Sequence, residues 1–294
     1  MSPIKPSVTA LRVFFLTLIL TSVTYADPLV VTTTNDATAL ANTLLAGGSG
    51  IVINSATYTG AAAASGTFTG GTGIIGFESG ILLTSGLAQI AVGPNNSSSA
   101  GSNNGAPGTA LIANSFNASI LEIQFTPTGD QVQFSYVFGS EEYNEFVNSA
   151  FNDAFRFNVN GTNFALIPGT MTPVEINTVN NGLNSAFYRD NTGAIQVNTQ
   201  YDGLTVVLSF VAPVNTGVIN NLTLVIADRG DTILDSGVFI AGGSFAVCGG
   251  PNQPPCTTNP VPEPATMLLL GTGLAGIAGR AWRRRKASEG SNDQ

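Results

Sequence analysis

Hydrophobic and polar residues alternate along much of the chain with a period of two. In "LEIQFTP" (121–127), Leu121, Ile123 and Phe125 alternate with Glu122 and Gln124, and in "DQVQFSYVFGS" (130–140), Val132, Phe134, Tyr136 and Phe138 share one face. Successive side chains of a strand point to opposite faces, so each run predicts a strand with one buried face. The "TPTGD" between them predicts a hairpin turn. "FRFNVN", "LTVVLSFV", "LTLVIAD" and "GVFIAGGSFAV" are short, β-branched or aromatic and punctuated by Gly, Asn and Pro, which predicts further strands. One early stretch departs from the pattern. "NDATALANTLLAGG" offers Asn35 or Asp36 as an N-cap, good helix formers behind it and Gly47 as a stop, so it predicts a short helix. The expected fold is all-β, a β-sandwich of jelly-roll type with one short N-terminal helix. No internal repeat of solenoid or propeller period is present. The composition of "GPNNSSSAGSNNGAPG" (93–108) cannot form a core and predicts a flexible surface insertion.

Two apolar runs lie outside this pattern, one at each end. Lys5 and Arg12 precede "VFFLTLILTSV", and "TYA" follows, which together describe a secretory signal over 1–26 with cleavage between Ala26 and Asp27; an uncleaved anchor is the alternative. At the other end, the apolar run from Ala265 to Gly279 has 15 residues. As a helix it would be roughly 22 Å long, short of the roughly 30 Å hydrocarbon core, so it spans only if Arg280 snorkels. Beyond it, Arg283, Arg284, Arg285 and Lys286 obey the positive-inside rule for a stop-transfer segment. Before it, Pro262 and Pro264 hold the backbone extended, a shape that a processing enzyme can bind. Val261, Pro262, Glu263 and Pro264, then the apolar run and the basic block, resemble the PEP-CTERM sorting signal of Gram-negative bacteria. The resemblance implies cutting near the motif by the membrane transpeptidase exosortase, in species that build extracellular polysaccharide. The expected organisation is thus a signal peptide (1–26), a β-sandwich (27–250), a Pro-rich linker (251–260), the sorting segment (261–286) with a transmembrane helix, and a polar tail (287–294).

Charge narrows the choice of function. Between Asp27 and Pro260 there is no lysine, and three arginines (Arg156, Arg189, Arg229) stand against fifteen carboxylates, a net charge of −12. Such a surface repels nucleic-acid phosphates and attracts divalent cations. The chain has no histidine, which excludes Ser-His-Asp and Cys-His catalysis and histidine-ligated zinc. Its two cysteines, Cys248 and Cys256, flank a proline-rich loop without CxxC spacing; in an exported chain they are expected to form a disulfide, with two free thiols as the alternative.

The central stretch "YVFGSEEYNEFVNSAFNDAFRFNVNG", with "GFESGILLTSG", "YDGLTVVL" and "IADRGDTILDSGVFI", resembles the choice-of-anchor L domain over about residues 30–247. The resemblance implies a secreted adhesion or matrix-type module without assigned catalysis. One departure stands out: "FNAS" (116–119) occupies a place before the "LEIQF" strand where an acidic pair is expected.

The carboxylates are the candidate chemistry. Glu141, Glu142, Glu145 and Asp153 lie close in sequence, and Asp228, Asp231 and Asp235 form a second acidic loop. Calcium takes six to eight oxygen ligands, so Glu141, Glu142, Asp153, Asp228, Asp231 and Asp235 are candidate calcium ligands, although no EF-hand spacing is present. The plainer readings are a helix start capped by Ser140 in "SEEYNEF", turn residues at 228–235, and ion pairs with Arg156 and Arg229. Two carboxylates can also hydrolyse glycosides, with Glu142 and Asp153 or Asp235 as candidates. The single tryptophan, Trp282, lies beyond the apolar run, so a sugar platform would have to use Tyr136, Tyr143, Tyr188 or Tyr201. The sequence thus leads to an exported, non-catalytic structural or adhesive protein, with a carbohydrate-binding or carbohydrate-hydrolysing protein as the alternative. Its expected partners are the Sec translocon and exosortase during export, the inner membrane before processing, and extracellular polysaccharide afterwards. Calcium is the one candidate cofactor.

Overall fold

A computed structural model of the chain describes residues 28–256 apart from 195 and 252. The signal segment with Ala26 and Asp27, the motif Val261–Pro264, the apolar run and the basic residues Arg280, Arg283, Arg284, Arg285 and Lys286 lie outside the described residues. Among the described residues no helix is long and apolar enough to cross a membrane.

The strands are β1 (Val30–Thr33), β2 (Ile51–Thr59), β3 (Ser65–Thr69), β4 (Gly80–Thr84), β5 (Ser115–Pro127), β6 (Gln131–Ser140), β7 (Ala154–Val159), β8 (Thr162–Asn163), β9 (Tyr188–Asp190), β10 (Gly203–Thr205), β11 (Leu208–Pro213), β12 (Asn220–Arg229), β13 (Ser236–Ala241) and β14 (Ala246–Val247). They form two antiparallel sheets. One runs β1-β3-β4-β13-β6-β10-β9, with β11 and β14 also on β6; the other runs β2-β5-β12-β7-β8. Within them, β4-β13-β6-β11 faces β5-β12-β7-β8. The chain crosses repeatedly between the sheets, including from β4 to β5, from β6 to β7 and from β12 to β13, which is jelly-roll topology.

The alternation read from the sequence sets the core. Leu121, Ile123 and Phe125 of β5 and Val132, Phe134, Tyr136 and Phe138 of β6 all point into one inter-sheet cluster, where Phe134 stacks on Phe157 of β7 at 4.3 Å between ring centroids. Burying each such side chain contributes about 1.5–3 kcal/mol. The outer face of the larger sheet is buried as well, with Leu82, Val137 and Phe239 packed against Phe68, Leu204 and Tyr201.

Two local expectations change. "TPTGD" is not a hairpin turn: β5 and β6 lie in different sheets, because β5 already pairs with β2 and β12 on its two edges. The connection crosses the end of the sandwich, with Thr128 N–H donating to Gly50 O at 2.8 Å. The early helix, α1 (Ala37–Leu44), is capped by Asp36, whose side chain accepts from Thr38 and Ala39 N–H at 3.0 Å each. It ends before Gly47, because Leu45 turns extended and bridges to Phe245.

Candidate functional site

Three of the crossings between sheets, β4 to β5, β6 to β7 and β12 to β13, start or end at the same end of the sandwich. The register places the end of β4 beside the start of β13 (Thr84↔Gly237), the end of β6 beside the same start (Ser140↔Ser236), and the start of β7 beside the end of β12 (Ala154↔Ala227). Glu141 and Glu142 follow β6, Asp153 precedes β7, Asp228 is the penultimate residue of β12, and Asp235 precedes β13. Strand ends therefore bring together five acids that lie up to 94 positions apart in sequence.

These five side chains are buried, with relative exposures of 0–1%. Glu141 N–H donates to Asp235 O at 3.1 Å, fixing the two loops against each other. Asp153 is the satisfied member: Oδ1 accepts from Arg229 N–H at 2.8 Å, and Oδ2 accepts from Ser236 Oγ at 2.7 Å, a bond that ties the two sheets together. Three others are satisfied on one oxygen. Asp228 Oδ2 accepts from Asn117 Nδ2 at 2.8 Å, Asp235 Oδ2 accepts from Ser102 N–H at 3.0 Å, and Glu141 Oε2 accepts from Ala100 N–H at 3.2 Å. Glu141 Oε1, Glu142 Oε2, Asp228 Oδ1, Asp235 Oδ1 and Asn117 Oδ1 are buried without a hydrogen-bond partner.

Burial pushes these carboxyls up from their ordinary range, helped by their mutual repulsion. Glu141 rises to about 9, with Asp202 and Asp235 adding to the effect of desolvation; Glu142 rises to about 8, with Asp231 and Asp228 adding. Asp228 and Asp235 rise to about 7 and Asp153 well above the usual carboxylate range, each chiefly through desolvation. No arginine offsets this. Arg156 and Arg229 converge instead on Glu175, Arg229 Nη1 standing 3.7 Å from Glu175 Oε2, and Asn152 Nδ2 donates to the same carboxylate at 2.7 Å. The expected pairing of these arginines with the acidic loops is thus corrected: Arg229 reaches the cluster only through its backbone N–H.

Several other expectations are revised at this end. The 93–108 segment is no free insertion; it folds over the acids. Besides the bonds from Ala100 and Ser102, Asn104 Nδ2 donates to Ser85 O at 2.6 Å, and Asn95 Nδ2 donates to Asp202 Oδ1 at 2.6 Å. "SEEYNEF" starts no helix: Ser140 Oγ does accept from Glu142 N–H at 2.9 Å, but turns follow. Asp231 is a turn residue whose Oδ1 accepts from Ile233 N–H, and Glu145 is exposed. Tyr136, Tyr143 and Tyr201 are buried and Tyr188 half-buried, so the three buried rings offer no open stacking surface. Cys248 and Cys256 are joined by a disulfide at the opposite end, beside the start of β6.

A family model of the choice-of-anchor L domain matches residues 29–246, most of the chain. The chain belongs to this family. A second model, the PEP-CTERM protein-sorting motif, matches residues 260–285. The protein is accordingly an exported, surface-sorted protein of a Gram-negative bacterium, processed by exosortase during export. No curated protein and no solved structure matches the chain.

The four segments that carried the choice-of-anchor L resemblance meet at the crossing end. "GFESGILLTSG" contributes Ser85 and Gly86, the central stretch Glu141, Glu142 and Asp153, "YDGLTVVL" Tyr201 and Asp202, and "IADRGDTILDSGVFI" Asp228, Asp235 and Ser236. Gly86 is required there, since a Cβ at that position would run into the Asp235 carboxylate. Gly139 and Gly237 make room for the Tyr201 ring on the sheet. Asp202, buried with its Oδ2 unpartnered and its carboxyl raised to about 6 by desolvation, is a member that sequence spacing missed. Asn117 is another. It sits in a β-bulge opposite Ala227 with a left-handed backbone (φ 52°), a conformation that Asn tolerates, and the bulge turns its amide onto Asp228. The "FNAS" departure thus places an amide beside the acids.

Proposed function

We propose that the sorted protein is a non-catalytic structural or adhesive module of the cell surface, associated with an exopolysaccharide matrix. The observation that supports this reading is the enclosure of the acid end. The carboxylates of Glu141, Asp153, Asp228 and Asp235 are buried, the 93–108 segment is bonded over Glu141 and Asp235, and both oxygens of Asp153 are engaged within the fold. A glycosidase needs two carboxylates that flank its substrate, and these are enclosed. Before processing, residues 265–279 hold the precursor in the inner membrane with the basic block on the cytoplasmic side.

The carbohydrate reading rests on one feature. A cavity of about 320 Å³ beside the acid end is lined by Glu142, Phe146, Phe151 and Asp231, with the two phenylalanines edge to face at 5.5 Å. Incubating the full-length protein with the exopolysaccharide of its own host separates the two. The structural reading predicts co-sedimentation with the matrix and no release of reducing ends. Turnover that disappears in Glu142→Gln would overturn it in favour of the hydrolase.

A further inference from the structure

Apart from five acids, the crossing end holds something sequence clustering could not show: a set of buried oxygens that all accept and have nothing donating to them. Asn117 Oδ1, Glu142 Oε2, Asp228 Oδ1 and Asp235 Oδ1 are each without a partner, with Glu141 Oε1 and Asp202 Oδ2 in the same condition alongside. The strand ends set them side by side: Ser140 lies opposite both Gly203 and Ser236, which brings Glu141 to Asp202 and Asp235, and Asn117 is bonded to Asp228. Their mutual repulsion follows the same order, from Asp202 through Glu141, Asp235 and Asp228 to Glu142. We infer that this row is a calcium site, in which Asn117 and Asp228, together with Glu142 or Asp235, supply oxygens to the ion, backbone carbonyls and water complete its shell, and three of the sheet crossings are thereby bound to one another.

Three observations carry the assignment. An unpartnered buried acceptor is destabilising by about 1–3 kcal/mol, more for a charged group, so several at one place need a common partner. Protonation alone does not supply it, because it turns a carboxyl oxygen into a donor that needs an acceptor in its turn and leaves the Asn117 amide oxygen an acceptor. An internal cation does not supply it either, since the ion pairs found among the described residues are those of Arg156 and Arg229 with Glu175.

The identity of the ion follows from the donor set. Among the described residues, no three Asp, Glu or Cys side chains stand together as a metal-holding group, which disfavours an ion that demands three or four protein charges and leaves two carboxylates and an amide as the most this row brings to one ion. Calcium accepts six to eight oxygens at 2.3–2.6 Å and mixes carboxylates with amide oxygens, backbone carbonyls and water. A row of carboxylates punctuated by the Asn117 amide suits it. Magnesium holds its waters and demands near-octahedral geometry, so it is the weaker ligand here. The cavity lined by Glu142 and Asp231 reaches one end of the row and offers a path for entry.

The test is calorimetric titration of calcium chloride into the full-length protein stripped with EDTA, with magnesium chloride in parallel. Melting curves at each calcium concentration accompany it. Wild type is expected to bind calcium saturably and to gain roughly 5–10 °C in melting temperature at a hundredfold excess over Kd, with a smaller response to magnesium. Asp228→Asn keeps the shape and the bond from Asn117 but removes one charge. It is expected to bind calcium at least about 10-fold more weakly, and to melt no lower than wild type in EDTA because the repulsion with Asp235 and Glu142 is relieved. Should that variant fail to fold, Asn117→Ala and Glu142→Gln read the same loss of affinity. The inference is overturned if wild type shows no saturable calcium binding, or if all the variants that fold bind as wild type does.

Discussion

This chain buries carboxylates in two neighbouring places and treats them in opposite ways. Glu175 is met by Arg156, Arg229 and Asn152, so each oxygen has a donor. A few residues away, at the crossing end, Glu142, Asp228 and Asp235 are more deeply buried and have no arginine at all. With three arginines in its exported body, the protein gives two to one glutamate and none to the acid row. Burial alone therefore does not explain the row. A carboxylate kept for structure is neutralised inside the chain here, and one left without a counter-charge points to a partner from outside it.

The comparison can be broken at either pole. The largest expected effect is at Glu175. Glu175→Ala leaves two partly buried guanidinium groups unpaired and should destabilise by about 3 kcal/mol, equally in calcium and in EDTA, as measured by urea unfolding. A loss that depends on calcium would mean that the two places are one system. Gly86→Ala comes next. Its Cβ meets the Asp235 carboxylate, so overpacking of about 2 kcal/mol is expected together with a weaker calcium response, whereas Glu175→Ala should leave calcium affinity unaltered.

At the far end of the sandwich, reducing the Cys248–Cys256 bond, which closes a loop of sequence separation 8, should lower stability by about 2 kcal/mol. That decrement should be the same with and without calcium; a difference would extend the influence of the ion across the whole fold. The smallest effect belongs to Asp231→Asn. Its side chain makes a turn bond at the rim, so a change within about 0.5 kcal/mol and a nearly unchanged calcium affinity are expected. A large loss of affinity would move the site outward from Asp228 toward the rim.

Strands were legible in this sequence wherever one face is buried, because a period of two is a local signal. Leu121 to Phe125 and Val132 to Phe138 went to the inter-sheet core as their alternation required. What a local signal cannot carry is the partner. β5 and β6 are three residues apart and belong to different sheets, while β5 pairs with β12 about a hundred positions on, so "TPTGD" looked like a hairpin. The acid end followed the same rule. Clustering in sequence brought out Glu141, Glu142, Asp153, Asp228 and Asp235, which do meet, but also Asp231, which only makes a turn. Asn117 and Asp202 reach the cluster through a bulge and through strand pairing, and nothing next to them in sequence announces it. The 93–108 segment lacks the side chains of a core and was legible only as a loop. It is held by backbone N–H groups donating to buried carboxylates, a form of order to which composition is blind.

The most direct measurement of the central claim is an anomalous difference map from crystals of the protein grown in calcium. The account predicts a peak within about 2.3–2.6 Å of oxygens from Asn117, Asp228 and at least one of Glu142 and Asp235. A map without a peak at the crossing end, or with peaks only at exposed carboxylates, would contradict it.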